Sequence, residues 1–163
     1  MGEGYKTIWY HPRRRRNIRG LFPWLFTSMS RLRRLSPPDL WAFVRAWIVL
    51  LLADLGLRLL PYSRAERLLA LARRERKGSE EVVARLAWAT TAAARHHLYG
   101  MRCLPRALCL RWLLGRHGIE ADLRIGVARQ AAGLDAHAWV EWRGRPVGED
   151  HGVAERFAPM EPL

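Results

Sequence analysis

Two residues of this 163-residue chain, Cys103 and His137, are of the types that act together as a nucleophile and its base. A cysteine attacks a carbonyl carbon as the thiolate, and a neighbouring imidazole can take the thiol proton. Cys103 stands two residues before Pro105, and proline is tolerated only in the first turn of a helix, where its missing N–H costs nothing. A helix N-terminus carries a partial positive charge that favours a thiolate. The pattern therefore predicts a reactive thiol at the start of a helix.

One helix and one strand are predicted between these two residues. The apolar residues after the cysteine recur at helical spacing as far as Gly118, which can take the left-handed conformation that ends a helix. Apolar and polar residues alternate over residues 120–128, which indicates a half-buried strand. A turn is predicted over residues 130–135. A second strand over 136–142 then carries His137 on one of its two faces.

Two adjacent carboxylates, Glu149 and Asp150, follow a third short strand that begins at Arg145. If this strand is antiparallel to the second one, it returns the chain towards His137. One of the carboxylates could then accept a hydrogen bond from the distal ring nitrogen of His137 and fix its tautomer. The alternative is that both carboxylates lie in a solvated loop. The residue pattern leaves open which of the two would serve.

The second cysteine, Cys109, lies in mid-helix among apolar neighbours, and we expect it to be a buried structural residue. On one straight helix the two cysteines would be about 9 Å apart along the axis, too far for a disulfide. The absence of a disulfide framework favours a reducing compartment, so a cytoplasmic location is expected. The sequence has no zinc-binding spacing and no glycine-rich phosphate loop, and we expect neither a metal nor a cofactor.

Two short motifs carry a resemblance to a known family. The string CLPRAL occupies residues 103–108, and AHAWVE occupies residues 136–141. Further matching residues are 113–114, 117–119, 123–127, 144–147 and Glu149. Together they closely resemble the lasso peptide biosynthesis leader peptidase, which is the transglutaminase-like protease half of the lasso B protein. The resemblance covers residues 40–150 and is strongest over residues 100–150.

This resemblance implies a Cys-His-acid triad that cleaves the leader from a ribosomally synthesised lasso precursor peptide before macrocyclisation. Cys103 and His137 match the first two members of the triad. The third member is usually an Asp twelve residues after the His, where this chain has Glu149 followed by Asp150, and either residue is a candidate. The implied partners are the precursor peptide with its leader and core, a small precursor-recognition protein, and an ATP-dependent lasso cyclase.

The first 35 residues carry much of the positive charge of the chain. The formal net charge is +13, and residues 1–35 hold nine basic residues and one acidic residue, interleaved with aromatic side chains. Such a segment could attach the enzyme to an anionic membrane surface, bind nucleic acid, or be a disordered basic tail. We expect an anionic membrane surface rather than nucleic acid as the partner, with the protein peripheral to the membrane.

Capping residues predict helices in the middle of the chain. Ser36 precedes two prolines and starts a helix that Pro61 ends. Its longest uninterrupted apolar run is eight residues, so we expect it to pack in a bundle or to lie on a membrane face. Ser63 opens a second helix, and Ser79 opens a third that reaches residue 99.

We therefore predict an α+β protein. Residues 1–35 form a basic tail, residues 36–76 a helical N-terminal subdomain, and residues 79–163 a transglutaminase-like, papain-like core with a nucleophile helix and a short antiparallel sheet. The C-terminal segment 153–159 is expected to pack against this core. The predicted function is that of a cysteine peptidase, with the backbone N–H of Cys103 in the oxyanion hole. Two alternatives remain open: a transglutaminase-like acyl transferase, and a non-catalytic scaffold or membrane adaptor.

Overall fold

The computed structural model describes residues 36–60, 64, 79–130, 133–150 and 152–160. The helices are α1 (Pro37–Leu59), α2 (Glu80–Arg95), α3 (Cys103–Arg116) and α4 (Val153–Arg156). The strands are β1 (Asp122–Gln130), β2 (Gly133–Trp142), β3 (Arg145–Val147) and β4 (Ala158–Pro159). The predicted tail over residues 1–35 and the helix predicted after Ser63 lie outside the described residues, apart from Arg64. The α+β class is confirmed.

Serine side chains cap the first two helices, as the sequence predicts. The hydroxyl of Ser36 accepts a hydrogen bond from the Asp39 N–H at 3.4 Å. The hydroxyl of Ser79 accepts one from the Val82 N–H, also at 3.4 Å. Each of these bonds satisfies one of the N–H groups that a helix start leaves without a partner.

Helix α2 ends at Arg95, so the prediction that it reaches residue 99 is wrong. The chain leaves the helix because two aromatic side chains beyond it contact α1. The His97 ring stacks on Trp47 with 4.7 Å between the ring centroids. The Tyr99 hydroxyl donates a hydrogen bond of 2.6 Å to the buried Asp54 carboxylate. These contacts link positions about 50 residues apart in the sequence, where no local pattern indicates them.

The strands form one antiparallel sheet in the order β3-β2-β1-β4. The chain reverses inside the predicted turn region 130–135, but the turn is shorter than predicted, because Gln130 already pairs with Gly133 across the hairpin. Gly133 has a φ of +125°, a conformation that a side chain would oppose, so this glycine permits the tight reversal. The long hairpin holds β2 firmly against β1 along its whole length.

Helices α1, α2 and α3 and one face of the sheet enclose a common core. Ala46 of α1, Ala89 of α2, Leu114 of α3 and Val140 of β2 are at most 1% exposed. The first helix of the predicted 36–76 segment therefore shares its core with the C-terminal half, while the proposed subdomain boundary stays a prediction. By length and composition alone, α1 is also apolar enough to cross a membrane, a test that core helices of soluble proteins pass as well.

A smaller cluster covers the opposite face of the sheet. Trp139 of β2 packs there against Val153 and Phe157, and all three side chains are buried. Strand β4 follows at once and pairs with β1, and the Met160 N–H extends the pairing to the Ile125 carbonyl at 2.8 Å. The prediction that the C-terminal segment packs against the core is confirmed.

Candidate active site

Cys103 occupies the first position of α3, as its place before Pro105 predicts. Arg102 is the N-cap residue, and its side chain makes no capping hydrogen bond. The N–H groups of the first turn have no partner within the helix, and one of them, the Leu104 N–H, donates to the half-buried Cys103 sulfur. At the other end of α3, Gly118 takes a φ of +71° and ends the helix in the left-handed conformation. Both helix ends follow from local residue types.

His137 lies on the face of β2 that carries Trp139. The Phe157 ring stacks on the imidazole with 5.1 Å between the centroids, and the Trp139 ring lies parallel at 6.3 Å. Gly126 stands directly opposite His137 on β1 and leaves room for these rings, since a Cβ there would come within 2.9 Å of Trp139. The imidazole is therefore held in place by aromatic packing.

The backbone of Ala138 turns a free N–H towards the thiol. The Ile125 carbonyl bonds to Met160, so the polar groups of Ile125 face β4. Ile125 stands opposite Ala138. In an antiparallel pair, two opposite residues point their backbone polar groups either towards each other or away from each other. Because those of Ile125 point away from β2, the N–H of Ala138 points away from β1, towards β3. Strand β3 pairs with β2 only from Val140 onwards. The Ala138 N–H thus lies beyond the end of β3 and donates to the Cys103 sulfur.

Cys103 and His137 favour each other's charged forms. A hydrogen bond with His137, supported by the backbone N–H groups of Ala138 and Leu104, lowers the pKa of the Cys103 thiol, although burial opposes this shift. The hydrogen bond with Cys103, followed by one with Glu149, raises the pKa of His137 to about 9. Each of the two pKa shifts favours the charged form of its own group. The contact between the two side chains therefore favours a thiolate beside an imidazolium over two neutral groups.

Glu149 is the carboxylate that lies beside His137. One of its carboxylate oxygens is 3.6 Å from Nε2 of the imidazole, which leaves Nδ1 for the thiol. Gly148 precedes Glu149, and its φ of +73° turns the backbone after β3 so that the Glu149 side chain lies beside His137. The other carboxylate oxygen of Glu149 is 3.5 Å from the Arg106 guanidinium. Sequence reasoning missed Arg106, although it lies three residues after Cys103, and that spacing places both on one face of a helix.

Asp150 points away from the imidazole. One of its carboxylate oxygens accepts a hydrogen bond from the Gly152 N–H at 3.4 Å, and the other lies 3.6 Å from Arg156. Its side chain is 52% exposed, whereas that of Glu149 is 14% exposed. The structure therefore brings Cys103, His137 and Glu149 together and places Asp150 at the start of α4.

Cys109 is fully buried in the core, as its mid-helix position predicts. Its thiol donates a hydrogen bond to the Ala46 carbonyl at 3.6 Å, and burial raises its pKa. Both cysteines are free thiols. Among the described residues, no three His, Cys, Asp or Glu side chains are placed to hold a metal ion.

Comparison with known proteins agrees with this fold. A family model described as the transglutaminase-like superfamily matches residues 47–161, more than two thirds of the chain. The chain therefore belongs to the transglutaminase-like superfamily, which includes cysteine peptidases and acyltransferases. Searches of curated proteins and of solved structures find no match.

Proposed function

We propose that this protein is a cysteine peptidase that removes the leader from a lasso precursor peptide in the cytoplasm. One observation carries the chemistry: the Cys103 thiol, the His137 ring and the Glu149 carboxylate form a continuous chain of contacts at the start of α3. The CLPRAL and AHAWVE motifs, which resemble those of the leader peptidases, support the substrate class.

The arrangement accounts for both halves of a hydrolysis. The Cys103 thiolate attacks the scissile carbonyl carbon, and the His137 imidazolium gives its proton to the leaving amine as the C–N bond breaks. The peptide is then held as a thioester on the Cys103 sulfur. His137, now neutral, takes a proton from water, and the resulting hydroxide displaces the thiolate and releases the new carboxylate. Glu149 keeps the imidazole oriented and stabilises its positive charge during both steps.

The start of α3 also supplies a donor for the oxyanion. The Cys103 N–H is at the first helical position and has no partner within the helix. An N–H fixed in this way can stabilise the negative charge that develops on the carbonyl oxygen during attack. We assign this donor role to the Cys103 backbone.

The test compares the two cysteines, because they lie on the same helix in different surroundings. Wild type, Cys103→Ala and Cys109→Ala are each incubated with the proposed lasso precursor peptide and the proposed small precursor-recognition protein, and cleavage is followed by mass. Cys103→Ala should give no free leader, while Cys109→Ala should retain cleavage as long as it stays folded. Full cleavage by Cys103→Ala would refute the assignment and favour a scaffold role.

A second arm separates hydrolysis from acyl transfer. The same reaction is run with an excess of a primary amine, and the mass of the cleaved leader is measured. A peptidase releases the leader with a free carboxylate. A leader or precursor that carries the added amine as the main product would identify an acyl transferase instead.

A further inference from the structure

Helix α1 presents a continuous apolar face that the described part of the protein does not cover. Seven large apolar side chains on it are exposed: Leu40, Trp41, Val44, Ile48, Leu52, Leu55 and Leu59. At about 100° per residue, the last six lie within an arc about 80° wide. Single exposed apolar residues are ordinary, but an apolar stripe along 23 residues marks an interaction surface.

The opposite face of α1 is packed into the protein. Ala46 and Leu50 are completely buried against the other helices, and Asp54 on the same side binds Arg58 at 2.7 Å. Of the 18-residue window that is apolar enough to span a membrane, 39% is buried inside the protein. A helix that packs against a folded domain along one side can insert only its opposite side into a membrane. The stripe therefore suits a surface that lies parallel to the helix axis.

Nearly all the net charge of the chain flanks α1 in the sequence. Residues 1–35 have nine basic residues and one acidic residue, and residues 61–78 have six basic and two acidic residues, giving net charges of +8 and +4. The helix segment 36–60 is neutral, and residues 79–163, which hold the candidate active site, have eleven basic and ten acidic residues. The positive charge thus accompanies the apolar helix rather than the catalytic half.

We propose that this face of α1 lies on an anionic membrane surface, with the helix axis parallel to the surface. The apolar stripe enters the boundary between headgroups and acyl chains, while the flanking basic segments bind the anionic headgroups. Arg58 lies within the stripe near its C-terminal end and is 64% exposed, and its long side chain can extend to the level of the headgroups and add a cation there. Positive segments before and after an apolar helix in the sequence favour a lipid surface over nucleic acid, which offers no apolar layer for the stripe.

Vesicle co-sedimentation of the full chain tests the apolar half of the proposal. Vesicles of phosphatidylcholine with one third phosphatidylglycerol should bind the wild type, and the double variant Ile48→Glu/Leu52→Glu should bind at least tenfold more weakly. The control is Leu134→Glu, which adds one negative charge at the hairpin tip, where the side chain is 77% exposed. The control should bind like the wild type. Circular dichroism checks folding, and Leu52→Gln replaces the double variant if that variant is unfolded.

The charge half of the proposal is tested on the same full chain. Replacing all four arginines of the run at residues 13–16 with glutamine should weaken binding, and rising salt should release the wild type from the vesicles. Vesicles of phosphatidylcholine alone should bind far less. Equal binding of the wild type to both vesicle types would overturn the proposal. Binding of the double variant Ile48→Glu/Leu52→Glu that equals that of the wild type would also overturn it.

Two further outcomes would also contradict it. The first is a wild-type dimer that the face variant dissociates while vesicle binding stays unchanged, since the stripe would then bind a second copy of the chain. The second is tight binding of duplex DNA with no binding of vesicles. Precursor cleavage without vesicles is measured on each variant, and the face variants should keep it. The membrane proposal and the proposed peptidase function can therefore fail independently.

Discussion

Gly126 is the residue whose substitution should disturb the candidate site most through packing alone. Its backbone is not in the left-handed region, so a larger residue is opposed by the lack of space for a side chain and not by the backbone conformation. A Cβ added there would lie 2.9 Å from the Ala158 carbonyl oxygen, 2.9 Å from the Trp139 ring and 3.0 Å from the Phe157 Cβ. Ordinary carbon contacts are about 3.5–4.0 Å, so these neighbours must withdraw by about 0.5–1 Å in Gly126→Ala.

Two consequences of this withdrawal are measurable. Overpacking of this kind costs about 1–3 kcal/mol, which for a chain of this length corresponds to a fall in Tm of about 2–12 °C. Phe157 stacks on the His137 ring, so its movement also displaces the candidate base. A misplacement of about 1 Å lowers a rate by about 100-fold. Gly126→Ala should therefore lower both the Tm measured by circular dichroism and the rate of precursor cleavage.

The matched control is Gly115→Ala on α3. A Cβ at Gly115 would meet nothing within 4 Å, so this variant should keep the wild-type Tm or gain up to about 1 kcal/mol of helix stability. A Gly126→Ala protein that melts at or above the wild-type temperature and cleaves at the wild-type rate would refute the packing argument. The His137 ring would then not depend on the aromatic residues beside it.

Four further substitutions and one titration follow from the same structure. Glu149→Gln should lower the single-turnover cleavage rate by roughly 10²–10⁴-fold, while Asp150→Asn should leave it nearly unchanged. By NMR the His137 ring should keep its proton up to about pH 9, and Glu149→Gln should lower its pKa. Leu50→Ala on the buried face of α1 should cost about 2–5 kcal/mol in urea unfolding, whereas Leu52→Ala on the exposed face should cost at most about 0.5 kcal/mol.

The parts of the site that follow from local residue types could be predicted from the sequence. Pro105 fixes where α3 begins, Gly118 fixes where it ends, and alternation places His137 on a strand. One feature of the site could not be predicted this way, because it depends on contacts between distant residues. The choice of Glu149 over Asp150 depends on the positive φ of the preceding glycine and on packing against α3.

The same limit applies to the groups that support the site from further away. Phe157 reaches the imidazole only because α4 and β4 fold back over the sheet, and the Ala138 N–H is free only because β3 ends early. Likewise, the end of α2 is decided by contacts of Tyr99 and its neighbours with α1, which no pattern near residue 95 indicates.

The most direct test of the central claim is the pH dependence of Cys103 alkylation by iodoacetamide, with modified peptides assigned by mass. Alkylation requires the thiolate, so its rate rises as pH increases through the pKa of the thiol. Because His137 lowers that pKa, the midpoint for Cys103 in the native chain should lie below the ordinary range of a cysteine, and His137→Ala should move it upward. The buried Cys109 should remain unmodified. The same midpoint in the native chain and in His137→Ala would contradict the claim that these two residues form a reactive pair.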